Sequence, residues 1–289
     1  SGNDILAFPA PNSVNIENKY FTKLKNFKYK LFINNPTINT RALLFLFVDA
    51  QGNNRAVLIS KDFKIHLIDI DVMQNYYNYT IFDVLVNYDL GNISIIDTYI
   101  SCGQKVNKIS HSERISESEL FLANVYKINP DINIKVKEFY IDKTQFKNSV
   151  FDKDEEEIYI IPENFPLLTG TNFSSFKWRP PDKLVFNFLT EEKEDYINLY
   201  CTQFKTKKLF ATITEETDYS KELINKIKSL ENYKNLSIIQ YNICLENKTL
   251  FPVKTPDNIN IPSSVRSIET ILLCKKENIK LENILFNIN

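Results

Sequence analysis

The sequence predicts an α+β fold built from antiparallel sheets, and three observations carry that prediction. Short apolar segments alternate with polar, Asn-rich turns through most of the chain. Helical spacing of apolar residues is confined to three stretches, and 289 residues suffice for one large domain or two smaller ones. Hydrophobic residues at 43% and charged residues at 25% exclude disorder as the main state. The 35 Lys and Arg against 36 Asp and Glu leave a net charge of −1, so no global positive field draws the chain onto nucleic acid and any RNA contact is local.

Taken in order, Arg41 to Asp49 is a nearly unbroken apolar run and reads as a central, buried strand. Gln51-Gly52-Asn53-Asn54 supplies turn chemistry, and Arg55 to Ser60 returns beside it. Phe63, Ile65 and Leu67 then alternate with Lys64, His66 and Ile68, the period of a sheet with one wetter face, which turns His66 away from the Phe63 side. Further strands are expected at Thr80 to Val86, Ile93 to Tyr99, Ile134 to Tyr140, Ile158 to Ile161 and Leu184 to Leu189. A helix is expected over Glu117 to Ile128, with Leu120, Phe121, Ala123 and Val125 as its stripe and Pro130-Asp131 as its stop. Either Asp218 or Ser220 caps a second helix striped by Leu223, Ile224, Ile227 and Leu230. A third starts near Ser263-Ser264 after Pro262, with Val265, Ile268 and Leu272 on one face.

Cys102, Cys201, Cys244 and Cys274 form no CxxC pair and, with only His66 and His111, make no zinc motif, so they read as isolated thiols in a reducing compartment. The acidic run Asp152, Asp154, Glu155, Glu156, Glu157 reads as a solvated loop, because neighbouring carboxylates on a strand point to opposite faces and make a poor metal site. No segment approaches the roughly 18 apolar residues of a membrane span. An intracellular protein of nucleus or cytoplasm, without a membrane partner, is the expectation.

One segment carries a resemblance. Thr169-Gly170-Thr171, then Phe176-Lys177-Trp178-Arg179-Pro180-Pro181, then Leu184-Val185-Phe186-Asn187-Phe188 resembles the GT, KWKPP and VDF elements of the mRNA guanylyltransferases, a covalent nucleotidyltransferase family. Lys177 and Arg179 alternate along a strand, so both cations can reach one phosphate chain, and the prolines stop pairing. Outward from this anchor, Tyr29 to Ile33 and Arg41 to Phe45 are similar to the strands around the KxDGxR motif. That hexapeptide here is Pro36-Thr37-Ile38-Asn39-Thr40-Arg41. Ala56 to Asp62 resembles the next strand and turn, and Thr80 to Val86 resembles the DGE strand with Leu85 in place of the glutamate. Ile95-Ile96-Asp97 with Gly103 and Glu113-Arg114, and Glu156 to Pro162, resemble the following elements. Asp257 and Pro262 stand for RxDKxxPN, with Thr255, Asn258 and Ser263 replacing its arginine, lysine and asparagine.

The resemblance implies a nucleotidyltransferase-like domain over residues 1–188 and an OB-fold-like domain with a C-terminal helix over 189–289. Guanylyl transfer in this family passes through a lysine-nucleotide intermediate, and the lysine position is Pro36, which has no amine. The implied protein is therefore catalytically inactive, with no catalytic residue, no metal site and no cofactor. Phosphate or nucleotide binding falls to Lys177, Arg179 and Arg41. Three functions stay open: a subunit of an mRNA capping or transcription complex that binds capped RNA or a guanine nucleotide; an active guanylyltransferase using Lys30 or Lys61; and a scaffold that binds a protein partner alone.

Overall fold

The alternating apolar segments pair into ladders whose order places distant parts of the chain side by side. The computed structural model describes residues 10–150, 156–167, 170–204, 206–256 and 261–288. Asp152, Asp154, Glu155, Thr169, Asp257 and Asn258, named above, lie outside the described residues. The chain forms two units. One runs to Trp178 and takes in the C-terminal residues from Ile284, and the other is Arg179–Asn283. The expected division lay after residue 188; the strand Phe186–Glu192 pairs only within the second unit and is counted there.

The first unit holds β1 (Pro11–Asn15), α1 (Phe21–Asn26), β2 (Tyr29–Asn34), β3 (Thr40–Val48), β4 (Asn54–Ser60), β5 (Ile65–Ile68), β6 (Ile70–Val72), β7 (Thr80–Asn87), β8 (Asn92–Ser101) and β9 (Gln104–Lys105). It continues through α2 (His111–Ala123), β10 (Val125–Ile128), β11 (Asn133–Val136), α3 (Lys143–Val150), β12 (Glu157–Pro162) and β13 (Gly170–Trp178). Its larger sheet has the order β11-β8-β7-β3-β4-β5 with β9 beside β8, and its smaller one the order β1-β13-β12-β2. All pairs are antiparallel except β1/β13 and β11/β8. β6 and β10 make a separate two-stranded ribbon.

Alternation decides which face is covered. Ala42, Leu44 and Leu46 of β3, Ala56 and Leu58 of β4, and Phe82, Val84 and Val86 of β7 form the core with Phe121 of α2 and with Tyr76 and Tyr77. Near β5 the outcome differs from the expectation. Ile65 and Leu67 are 66% and 72% exposed, and only Ile68 of that strand is buried. The period is that of a strand, but the apolar side is the uncovered one.

Helix α2 is also displaced from its expected span. It starts at His111 because Ser110 caps it: Glu113 N–H donates to the Ser110 hydroxyl (3.3 Å) and Ser110 N–H donates to the Glu113 carboxylate (2.8 Å). It ends at Ala123 because the β-favouring Val125-Tyr126-Lys127-Ile128 pairs with β6 instead. Gly91 closes the β7–β8 turn at φ +61°, and a Cβ there would lie 1.9 Å from the Asp131 carbonyl oxygen, so only glycine fits.

The second unit holds β14 (Phe186–Glu192), β15 (Tyr196–Gln203), β16 (Thr206–Thr214), α4 (Asp218–Lys228), β17 (Ser237–Cys244), β18 (Thr249–Lys254) and α5 (Val265–Glu277). A last helix, α6, spans Leu281–Asn287. The sheet order is β16-β15-β14-β17-β18, and α4 lies in the chain between β16 and β17. That is the arrangement of an OB fold, so the α+β class with antiparallel sheets and a C-terminal OB-type unit is the observed architecture. The cap of α4 is neither expected residue: Thr217 accepts from Ser220 N–H at 3.1 Å, and Ser220 returns the bond to Thr217 N–H. Ser264 caps α5 as expected. All four cysteines are free thiols, and no helix among the described residues is long and apolar enough to cross a membrane.

Candidate functional site

The two sheets of the first unit face each other, and register fixes which side chains meet. In the small sheet Lys177 lies opposite Tyr159, and Tyr159 opposite Phe32, so the three share a face. In the large sheet Arg41 lies opposite Leu85. Phe32, Leu85 and Ile96 are buried together, with Phe139, Tyr159 and Ile161 packed against them, and the Phe32 and Tyr159 rings stack at 4.8 Å. Where the resemblance puts a metal-site glutamate, Leu85 is therefore part of a closed apolar cluster joining both sheets. Among the described residues no group of three or more His, Cys, Asp and Glu is placed to hold a metal ion.

Charged groups ring this cluster. Asp83, 1% exposed, receives both Nε (2.8 Å) and a terminal nitrogen of Arg41. Arg41 donates a third N–H to the Pro11 carbonyl at 2.6 Å, and Tyr99 donates its hydroxyl to Asp83 at 3.0 Å. Burial, with the neighbouring Asp83 charge, raises the Tyr99 pKa well above the usual phenol range, so it remains a donor. Arg41 thus spends three of its five donors on the protein. Lys177 stands 3.9 Å from Glu157, which also accepts from Tyr159 at 3.1 Å.

Strand β13 ends at Trp178, so the expected alternation carries Lys177 but stops before Arg179, which belongs to the second unit. Arg179 has a buried Nε with no hydrogen-bond partner among the described residues. The loop between β2 and β3, where the family's nucleophile would stand, is a closed turn. Asn35 Oδ1 accepts from the backbone N–H (2.9 Å) and hydroxyl (2.6 Å) of Thr37, Asn39 N–H donates to the Asn35 carbonyl (3.0 Å), and Pro36 is exposed.

Of the two substitute lysines, Lys30 is tied to Glu163 (3.2 Å) and to the Ser112 hydroxyl. Lys61 is the residue the structure brings to the cluster. It extends the row Val57, Ile59 on β4, on the face that carries Arg41, and its ammonium is repelled by Arg41 and Lys177 and attracted by Asp83 and Glu157. Desolvation is the largest effect on its pKa and, with the two neighbouring cations, holds it below the usual lysine value, although the side chain is open to solvent. Lys61 is thus an exposed amine under the influence of two cations and two carboxylates from both sheets. Lys64, three residues on, is raised by its bond to Asp62. Competitive acylation near pH 9, read by peptide mass spectrometry, is expected to label Lys61 well ahead of Lys64. Equal labelling would mean that Lys61 stands in bulk water.

The other pairing that tertiary structure makes is Arg114 with Asp97. Arg114 Nε and Nη2 donate to the two Asp97 oxygens at 2.6 and 3.0 Å, and Nη1 donates to the carbonyl of Ile109 at 2.7 Å. Asp97 also accepts from Thr98 N–H at 2.8 Å. The pair pins the start of α2 to β8. His111 is buried beside it against Phe139, with its pKa lowered by burial, so it is neutral packing and not an acid or base of the cluster.

No protein-family model and no curated protein matches the chain. Among solved structures it is similar to a Lig E DNA ligase, described as binding DNA with a minimal scaffold, at 7% identity over 86% of this chain and 100% of that one, TM-score 0.41. It is similar to the ligase domain of LigD from M. tuberculosis at 8% identity over 87% and 97%, TM-score 0.38. A third similarity is to the ATP-dependent DNA ligase of bacteriophage T7 in complex with ATP, at 10% identity over 86% and 98%, TM-score 0.43. Overlaps this loose carry no residue role across to the present chain.

Proposed function

We propose that this chain is a guanylyltransferase-like protein that has lost covalent transfer and binds the phosphates of a guanine nucleotide or of capped RNA, as a subunit beside an active capping or transcription enzyme. The observation that supports the reading is the mutual proximity of the cations Lys61, Arg41 and Lys177, together with Pro36, which has no amine, at the position where the resemblance puts the nucleophile. Lys177 is the proposed phosphate ligand of the first unit, and Arg179, whose Nε has no hydrogen-bond partner among the described residues, is a separate candidate in the second. Arg41, engaged by Asp83 and Pro11, has two donors left for an anion and mainly holds the cluster's shape.

Titration calorimetry with GTP, cap analogue and a short capped RNA tests this. Saturable binding is expected with at least one of them, weakened tenfold or more in Lys177→Ala/Arg179→Ala, about the loss of one or two charge-assisted contacts. No saturable heat with any ligand would leave a scaffold that binds protein alone.

A second reading is favoured by Lys61, an exposed amine near Arg41 and Lys177 whose pKa desolvation and those cations lower, which favours the unprotonated form a nucleophile needs. Its Nζ would attack the α-phosphorus of GTP, form a P–N bond, expel pyrophosphate and lose a proton to solvent. Incubation with labelled GTP and a divalent metal, followed by denaturing electrophoresis, is expected to give no acid-labile band. A band lost in Lys61→Arg would establish the second reading instead.

A further inference from the structure

One face of the large sheet carries an ordered row, from the exposed Leu67 through the buried Val57 and the half-buried Phe45, Ile81 and Ile100 to the exposed Lys105. Leu67, Val57, Phe45, Ile81, Ile100 and Lys105 lie directly opposite one another from β5 to β9, so they share one face. Arg41 and Phe47 stand on that face too, at alternate positions along β3 with Phe45. The Phe45 and Phe47 rings stack at 4.7 Å and 21°, and Tyr79 continues the stack from Phe45 at 6.2 Å and 24°. Tyr79 is 58% exposed, so the end of the stack is open.

Charge on this face has one sign left over. Asp83 is held by Arg41, and Asp49 by Arg55 at 2.7 Å. Lys61 and Lys105 have no ion-pair partner among the described residues. Lys105 lies three strand spacings, about 14 Å, from Phe45, and Arg41 lies four residues, also about 14 Å, along β3. A stack of aromatic rings with an open end, an apolar floor at Ile65 and Leu67, and unpaired lysines on two sides complements a chain that carries flat bases on an anionic backbone.

We propose that this face binds a single-stranded nucleic acid, its bases continuing the Phe47–Phe45–Tyr79 stack and its phosphates meeting Lys105 on one side and Lys61 on the other. The inference rests on the phosphate-site reading above for where one end of the strand lies. It adds the path of the strand and its single-stranded character.

The test is fluorescence anisotropy of the full chain with a labelled oligouridylate, the matching oligodeoxythymidylate and an RNA duplex, beside GTP titration of the same samples. The single strands are expected to bind, RNA and DNA being separated by their relative affinity, and the duplex to bind more weakly. Phe47→Ala and Tyr79→Ala are each expected to weaken binding about tenfold or more. Lys105→Ala is expected to flatten the slope of log affinity against log salt by about 0.7. Since Phe47 is half-buried, circular dichroism checks its fold, and the exposed Tyr79 and Lys105 carry the result if it unfolds. Iodouridine at successive positions is expected to crosslink to Phe45, Phe47 or Tyr79. If GTP titrates but no single strand binds, or binding ignores the ring variants, this inference alone falls. If neither GTP nor oligomer binds, the phosphate reading falls with it. Preference for duplex overturns stacking, and a partner protein that the same variants release, with no RNA bound, makes the face a protein interface and overturns the inference.

Discussion

Arg114→Met is expected to destabilise the chain by about 3–5 kcal/mol, the usual cost of removing one partner from a buried ion pair. The guanidinium is among the largest fully buried side chains, and its loss strands Asp97, 6% exposed, with a single remaining donor, the N–H of Thr98. It also frees the carbonyl of Ile109 at the foot of α2. Methionine fills comparable space, so the loss reports charge and hydrogen bonding more than a cavity. In a thermal melt the transition is expected to fall by roughly 6–20 °C. Asp97→Asn/Arg114→Met should recover part of the loss, because no bare carboxylate is then left buried. A drop below 1 kcal/mol would mean that water already reaches the pair.

Leu85→Glu carries the second large effect and bears on function, because it restores the residue type that the resemblance expects. If that position lined a water-filled nucleotide pocket, glutamate would be tolerated. Leu85 is instead 5% exposed between Phe32 and Ile96. Arg41, across the ladder, is already committed to Asp83 and Pro11 and could neutralise a new carboxylate only by releasing Asp83. Losing the leucine alone costs about 2 kcal/mol. The carboxyl adds a pH-dependent penalty: its folded pKa is raised above the unfolded value near 4.3, so the unfolded state sheds its proton first. The variant should therefore lose about 1.4 kcal/mol relative to wild type for each pH unit between that value and the raised folded pKa. Denaturant midpoints at pH 5 and pH 8 measure this, and wild-type stability at pH 8 would show an open pocket at this position.

Local signals were legible where strand period and turn chemistry agreed. The β3–β4 hairpin is one case. The Ser264 cap of α5 is another. The start of α2 could have been found from Ser110 and Glu113, whose S-x-x-E spacing is a capping box that the apolar stripe alone does not reveal. The strands β15 to β18 escaped because their inward residues, such as Ile197, Leu199 and Cys201, alternate with a mixed outer face that reads as loop. In the candidate site, Lys177 and Arg41 were visible as motif residues. Lys61 was visible only as a lysine without a DG pair.

By itself the sequence determined the α+β class, the positions of most large-sheet strands and the absence of an amine at Pro36, since each depends on neighbours within a few residues. Only the tertiary structure decided that Lys61 comes within electrostatic reach of Arg41, Asp83, Glu157 and Lys177, that Arg114 neutralises Asp97, and that Ile65 and Leu67 face outward. The physical reason is that alternation tells which residues share a face of a strand, whereas what covers that face depends on pairing between segments more than a hundred residues apart, as when β13 returns beside β1 and β12 beside β2.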